Sequence, residues 1–178
     1  PLAWARDDPV LKGKVTGYME EILRRQRPDG WYGPYPEDAA TERYDMWAIL
    51  LANKVVAQYH DATGDERALR AVEASLAALA PGLGRTPLYD WGRFRWFEGL
   101  IPIFHVHDRT GDPALLDLAA RLRDQGFDYG AWYERDDVRL PTPRRGLWNW
   151  EKHVVNTAMA LKAGALSWRL DRRPGARE

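Results

Sequence analysis

Apolar residues recur at intervals of three and four along most of the chain, the spacing that places them on one face of an α-helix. Six such segments are predicted. The first starts at Asp8-Pro9, an N-cap followed by proline at the first helical position, and carries Leu11, Val15, Tyr18, Met19 and Ile22. It ends before Arg27-Pro28-Asp29-Gly30, a turn signal. The second runs from Thr41 to Ala62 with Trp47, Leu50, Leu51, Val55 and Tyr59. The third runs from Asp65 to Ala80 with Leu69, Val72, Leu76 and Leu79. The fourth spans Gly92 to Arg109 with a kink expected at Pro102. The fifth runs from Asp112-Pro113 to Gln125, and the sixth, the least polar, from Asn149 to Leu170.

Two junctions share one design 47 residues apart: Tyr59-His60-Asp61-Ala62-Thr63-Gly64-Asp65 and Val106-His107-Asp108-Arg109-Thr110-Gly111-Asp112. In each, glycine ends one helix in the left-handed conformation and aspartate caps the next. Such a helix-pair repeat belongs to solenoids and toroids. The remaining connections, 27–40, 81–91 and 126–148, are long and carry Trp31, Tyr32, Tyr35, Tyr89, Trp91, Trp132, Tyr133 and Trp148. Tight turns alternating with long aromatic loops predict an up-down ring with a binding mouth on one face. The expected fold is all-α, a single domain over residues 1–178 that forms about half of an (α/α)6 toroid. Helices two, four and six would then line the interior. Its apolar flanks would need cover from the rest of a barrel or from a second copy.

Composition narrows the function. Lys plus Arg equals Asp plus Glu at 26 each, which argues against a nucleic-acid-binding field. No apolar run is long enough to span a bilayer. Pro1-Leu2-Ala3-Trp4 lacks the features of a signal peptide, and its abrupt start suggests a piece of something longer. There is no cysteine, so disulfides, thiolate ligands and a cysteine nucleophile are excluded within the chain. Nine Trp and eight Tyr supply flat apolar platforms with polar edges.

The common nucleotide, hydrolase and zinc-protease motifs are missing. His105 and His107 are two apart on one helix, cannot chelate one ion, and read as structural. Trp150, His153, Asn156 and Thr157 share a face if the sixth helix starts near Asn149, forming a polar stripe suited to a hydroxyl-rich ligand. Carboxylates on the same side include Glu37, Asp38, Asp45, Asp90, Glu98, Glu134, Asp136, Asp137 and Glu151. Asp45 and Glu98 stand out because each begins an inner helix, and glycoside hydrolysis usually needs two carboxyl groups. Asp29-Gly30-Trp31 reads as a turn and as a candidate sugar platform.

Several of these segments, in order, resemble glycoside hydrolase family 127, the β-L-arabinofuranosidase-like family. They are Gln26-Arg27-Pro28-Asp29-Gly30-Trp31-Tyr32-Gly33-Pro34, Asp45-Met46-Trp47, Arg95-Trp96-Phe97-Glu98, Gln125-Gly126-Phe127-Asp128 and His153 through Lys162. The resemblance covers nearly the whole chain. It implies a catalytic (α/α)6 barrel that releases L-arabinofuranose, with a zinc-held cysteine as nucleophile and a glutamate as acid. It also implies sugar contact for His153, with Trp96 and the Asp45-Met46-Trp47 region where some members place sugar-binding histidines. The family's Glu-x-Cys motif lies downstream of the helix bearing His153. This chain ends at Glu178 and has no Cys, so nucleophile, acid and metal ligands transfer to no residue here. Zinc is expected only in a longer parent. The expected function is a glycosidase-like domain that supplies part of a sugar pocket and is inactive alone, with a glycan as partner. Alternatives are a non-catalytic carbohydrate-binding or helical-repeat module, and another α/α-toroid glycosidase such as an unsaturated glucuronyl hydrolase.

Overall fold

The computed structural model describes residues 1–32, 45–140 and 149–171, apart from the side chains of Asp137 and Asp171. Secondary structure among these residues is helical throughout: α1 (Leu2–Ala5), α2 (Pro9–Arg24), α3 (Trp47–Thr63), α4 (Glu66–Arg85), α5 (Asp90–Phe94), α6 (Leu100–Thr110), α7 (Ala114–Gln125), α8 (Tyr129–Tyr133), α9 (Val154–Ala160) and α10 (Ala163–Asp171). Short 3₁₀ turns occupy Trp96–Gly99 and Asp136–Arg139. The all-α class is as expected. Residues 41–44, Tyr35, Glu37, Asp38 and Trp148 lie outside the described residues.

Local capping sets several helix starts. The Asp8 carboxylate accepts from the backbone N–H groups of Val10 (2.9 Å) and Leu11 (3.0 Å), and Asp65 accepts from Arg67 N (2.9 Å). Gly64 and Gly111 have φ of 71° and 69° and donate to the carbonyls of His60 (2.7 Å) and His107 (2.8 Å). The two repeated junctions are therefore tight turns that join α3 to α4 and α6 to α7. α3 packs on α4, α6 on α7, and α3 and α6 are neighbours, while α4 contacts both α2 and α7. Ile49, Leu50, Val56, Val72, Leu76, Leu79, Leu83, Phe97, Leu100, Ile103 and Leu122 are fully buried between these layers. Tyr18 departs from the predicted stripe of the first helix: it is 71% exposed, and Met19 turns inward instead.

Five boundaries differ from expectation, the first being the start of α3 at Trp47, since Asp45 and Met46 are not helical although the helix was expected from Thr41. α4 continues through Pro81 to Arg85, because the buried Leu83 anchors its last turn and Gln125 ties it down. The Gln125 amide donates to Leu83 O (3.2 Å) and accepts from Leu88 N (2.9 Å). The fourth predicted helix breaks at Arg95 (φ −128°, ψ 20°) rather than at Pro102. Pro102 sits in the first turn of α6, where its missing N–H would have had no intrahelical partner. The connection after α7 holds a helix, α8, capped by Asp128, whose carboxylate accepts from Ala131 N at 3.0 Å. The sixth helix is two helices, and it begins at Val154, not Asn149. The Asn149 side chain accepts from Glu151 N (2.9 Å) and Lys152 N (3.1 Å), an Asx turn that competes with helix. His153 then acts as N-cap of α9, its Nδ1 accepting from Asn156 N at 3.3 Å.

Close packing makes one glycine indispensable. A Cβ on Gly126 would stand 2.2 Å from the Trp96 ring, whereas one on Gly17, inside α2, would meet nothing within 4 Å. Gly126→Ala is expected to destabilise by about 1–3 kcal/mol through overpacking. Gly17→Ala is expected to stabilise by about 0.5–1 kcal/mol through helix propensity. Urea unfolding of both variants checks the opposite signs.

Candidate functional site

The N-terminal ends of α3, α5 and α9 converge at the end of the molecule away from the two tight turns. Asp45 holds the first two together. Its Oδ1 accepts from Trp47 N (3.0 Å) and Gly92 N (2.8 Å), and its Oδ2 from Trp91 N (3.2 Å). The close approach explains Gly92, where a Cβ would come within 2.9 Å of Asp45 Oδ1. Asp45, weighed above as a carboxylate for chemistry, spends its lone pairs on three backbone N–H groups.

Arg95 is the centre of the cluster. The break after α5 projects its guanidinium over the faces of Trp47 (4.6 Å) and Trp91 (4.2 Å). Its Nε donates to Asn156 Oδ1 at 2.9 Å. Burial lowers the Arg95 pKa from its ordinary value, with the nearby charges of Asp45 and Glu98 opposing that shift. Asn156, itself fully buried, donates through Nδ2 to Trp150 O at 3.2 Å. Trp91 meets Trp150 edge to face at 4.6 Å and His153 at 5.4 Å, and Trp150 stacks on Phe94 at 5.6 Å. Trp150, His153 and Asn156 are thus brought together as expected, but for another reason. Trp150 and His153 precede α9 rather than share its face, and both fasten Asn156.

Glu98 lies one helical turn beyond Arg95, in the 3₁₀ segment, and is fully buried. Lys54 of α3 donates to its Oε2 at 2.6 Å, and Lys162 pairs with its Oε1. Lys162 reaches it from the break between α9 and α10. Two ammonium groups supply counter-charge to this buried carboxylate, although its Oε1 makes no hydrogen bond of its own among the described residues. Trp96 and Trp31 are core residues, 4% and 6% exposed. The Trp96 indole N–H donates to Phe127 O at 3.0 Å. Gly30, at φ 90°, presses the Trp31 turn against Ala74 of α4, and Gln26 Nε2 donates to Gly30 O (2.7 Å) and Ala71 O (2.8 Å). Neither ring offers an open face. Trp132 is also core, while Trp47, Trp91, Trp150 and His153 keep partial exposure.

Sequence reasoning missed Arg95. Its signal was weak: an arginine among aromatics at the start of an inner segment, with its ring partner Trp47 48 positions away. It also missed Lys54 and Lys162, whose shared partner lies on a third segment.

The zinc-bound thiolate that the resemblance implies has no donor set in this chain. There is no cysteine, and among the described residues no three His, Asp or Glu side chains converge as ligands. No helix among them is long and apolar enough to cross a membrane. No family model, curated protein or solved structure matches the chain.

The tight-turn end holds different chemistry. His60 Nδ1 and His105 Nε2 share a hydrogen bond of 2.8 Å, with Glu66 3.5 Å from His60, and with Asp61 (3.7 Å) and Arg109 (3.3 Å) at His105 Nδ1. His107 turns away toward Asp108 at 3.9 Å. Burial, then Arg109, holds the His105 pKa below its ordinary 6.5. The unfolded chain therefore binds the proton first. The contribution to stability is complete above pH 6.5 and is lost as pH falls from there through the lower folded-state value. Urea unfolding at pH 7.5 and 5.5 is expected to show lower stability at the acid value, with a smaller loss for His105→Gln. An unchanged loss in the variant would assign the effect elsewhere.

Proposed function

We propose that this chain is the sugar-binding portion of a glycoside hydrolase-like α/α barrel related to the β-L-arabinofuranosidases, supplying pocket wall rather than nucleophile. The observation that carries the reading is the convergence of Trp47, Trp91, Arg95, Trp150, His153 and Asn156 at one end of the helices. Part-exposed indole faces beside fixed hydrogen-bonding groups suit a ligand with apolar ring faces and hydroxyl edges. Two packed helix pairs, with tight turns at one end and this cluster at the other, fit part of such a barrel.

The two carboxylates singled out at helix starts favour binding over turnover. Asp45 accepts from three backbone N–H groups, and Glu98 is held between two lysines. Leu51 and Val55 of α3 and Val154, Val155 and Leu161 around α9 are 38–77% exposed, and they support a surface that a further part of the barrel, or a second copy, would cover. A stand-alone carbohydrate-binding module is the second reading, favoured by the same committed carboxylates.

Titration with arabinan- and arabinogalactan-derived oligosaccharides, followed by tryptophan fluorescence, tests the site. Binding is expected, with about a tenfold loss of affinity in Trp91→Ala. No aryl α- or β-L-arabinofuranoside should be hydrolysed, even with zinc supplied. Turnover abolished by His153→Ala would contradict the assignment.

A further inference from the structure

Arg95 differs from the ion-paired arginines of the surface. Arg24, Arg67, Arg109, Arg135 and Arg169, on the surface, each pair with a carboxylate. Arg95 is more withdrawn from water than these, yet among the described residues its side chain has one hydrogen bond, from Nε to an uncharged amide. The two nearest carboxylates are engaged elsewhere: Asp45 caps three N–H groups, and Glu98 pairs with Lys54 and Lys162. A guanidinium that gives up part of its hydration without a direct ion pair carries an electrostatic cost that the two rings and Asn156 offset only in part.

We infer that Arg95 is the recognition residue for the carboxylate of an acidic sugar, accepted edge-on by its two terminal nitrogens. The inference rests on the sugar-site reading above and narrows its substrate class to uronate-type residues. Three features give the geometry. Asn156 holds Nε, which fixes the rotation of the guanidinium and leaves Nη1 and Nη2 as a fork. Trp47 and Trp91 lie over the group, so a ligand meets its edge rather than those faces. A planar carboxylate in the guanidinium plane completes two parallel N–H···O bonds. A tetrahedral phosphate carries a further oxygen out of that plane, toward the rings. The sugar ring itself would lie against the part-exposed indoles of the same cluster.

The test is titration of the protein with D-galacturonate and D-glucuronate, each compared with its methyl ester, and with galactose 6-phosphate, read by chemical shifts. At least one acid is expected to bind about tenfold more tightly than its ester, which keeps the ring and hydroxyls but loses the charge. That margin should shrink as salt is raised. Arg95→Met, which keeps the stem on the tryptophans, is expected to abolish it. Arg95→Lys, which keeps the charge but loses the fork, should lose most of it. Should neither variant fold, the acid-to-ester margin of the wild-type protein still decides. Equal binding of acid and ester would overturn the inference and leave the sugar site standing. Preference for the phosphate, or an acid preference that survives in folded Arg95→Met, would also overturn it. Absence of binding by every sugar in this series would overturn the inference, and the oligosaccharide titration above decides the sugar site separately.

Discussion

A single guanidinium joins three segments that are remote in sequence. Arg95 emerges where the chain breaks between α5 and the following 3₁₀ turn, rests on Trp47 of α3 and Trp91 of α5, and is fixed by Asn156 of α9. The contacts depend on one another. Asp45 sets the distance between Trp47 and Trp91 by collecting N–H groups from both. Trp150 and His153 set Asn156 by supplying one acceptor to its amide and another to its backbone. The Asx turn at Asn149 delays the start of α9, which puts those two acceptors ahead of the helix instead of along it. The break at Arg95 would serve no purpose in a continuous helix. Here it turns the arginine toward the mouth, and the 3₁₀ turn behind it carries Glu98 into the core.

The two ends of the helix pairs are built on opposite principles. At one end the chain reverses in a few residues through left-handed glycines, and the polar groups there, His60, His105, Asp61 and Arg109, bond to one another. At the other end the polar groups gather around a cation without a carboxylate of its own. The lysine–glutamate–lysine triad lies between the core and the mouth. Its two cations come from α3 and from the break between α9 and α10, so it fastens the last helices to the first pair.

The parts of this arrangement visible in the sequence are those fixed by a few neighbouring residues. Asp8-Pro9, Gly64-Asp65 and Gly111-Asp112 announce helix ends because cap and turn chemistry is local. Of the aromatics expected to line one face from the loops, Trp91 joins the cluster while Trp31 and Trp132 are core, and Trp150, His153 and Asn156 were grouped by a helical spacing that the chain does not adopt there. What spacing could not supply was the competition between local structures. Asn149 can begin a helix or an Asx turn, and Pro102 reads as a kink until the true break is known to lie at Arg95. The roles of Trp31, Trp96, Asp45 and Glu98 were hidden for a related reason. Asp45 and Glu98 were chosen for their place near a helix start, Trp31 for its turn and Trp96 for the family resemblance, while their burial and partners depend on residues some 30 to 60 positions away, among them Phe127, Trp91 and Lys162. Arg95 stayed unnoticed because an isolated arginine normally reads as solvated surface.

Mapping nitrogen-attached side-chain protons by two-dimensional NMR, during titration with a mixed digest of plant cell-wall glycans, tests the central claim most directly. The account predicts that the Arg95 Nε–H and the indole N–H groups of Trp47, Trp91 and Trp150 shift together, with the buried indoles of Trp31 and Trp96 unmoved. Shifts confined to other parts of the surface, or a spectrum unchanged at saturating glycan, would contradict a sugar site at this end of the helices.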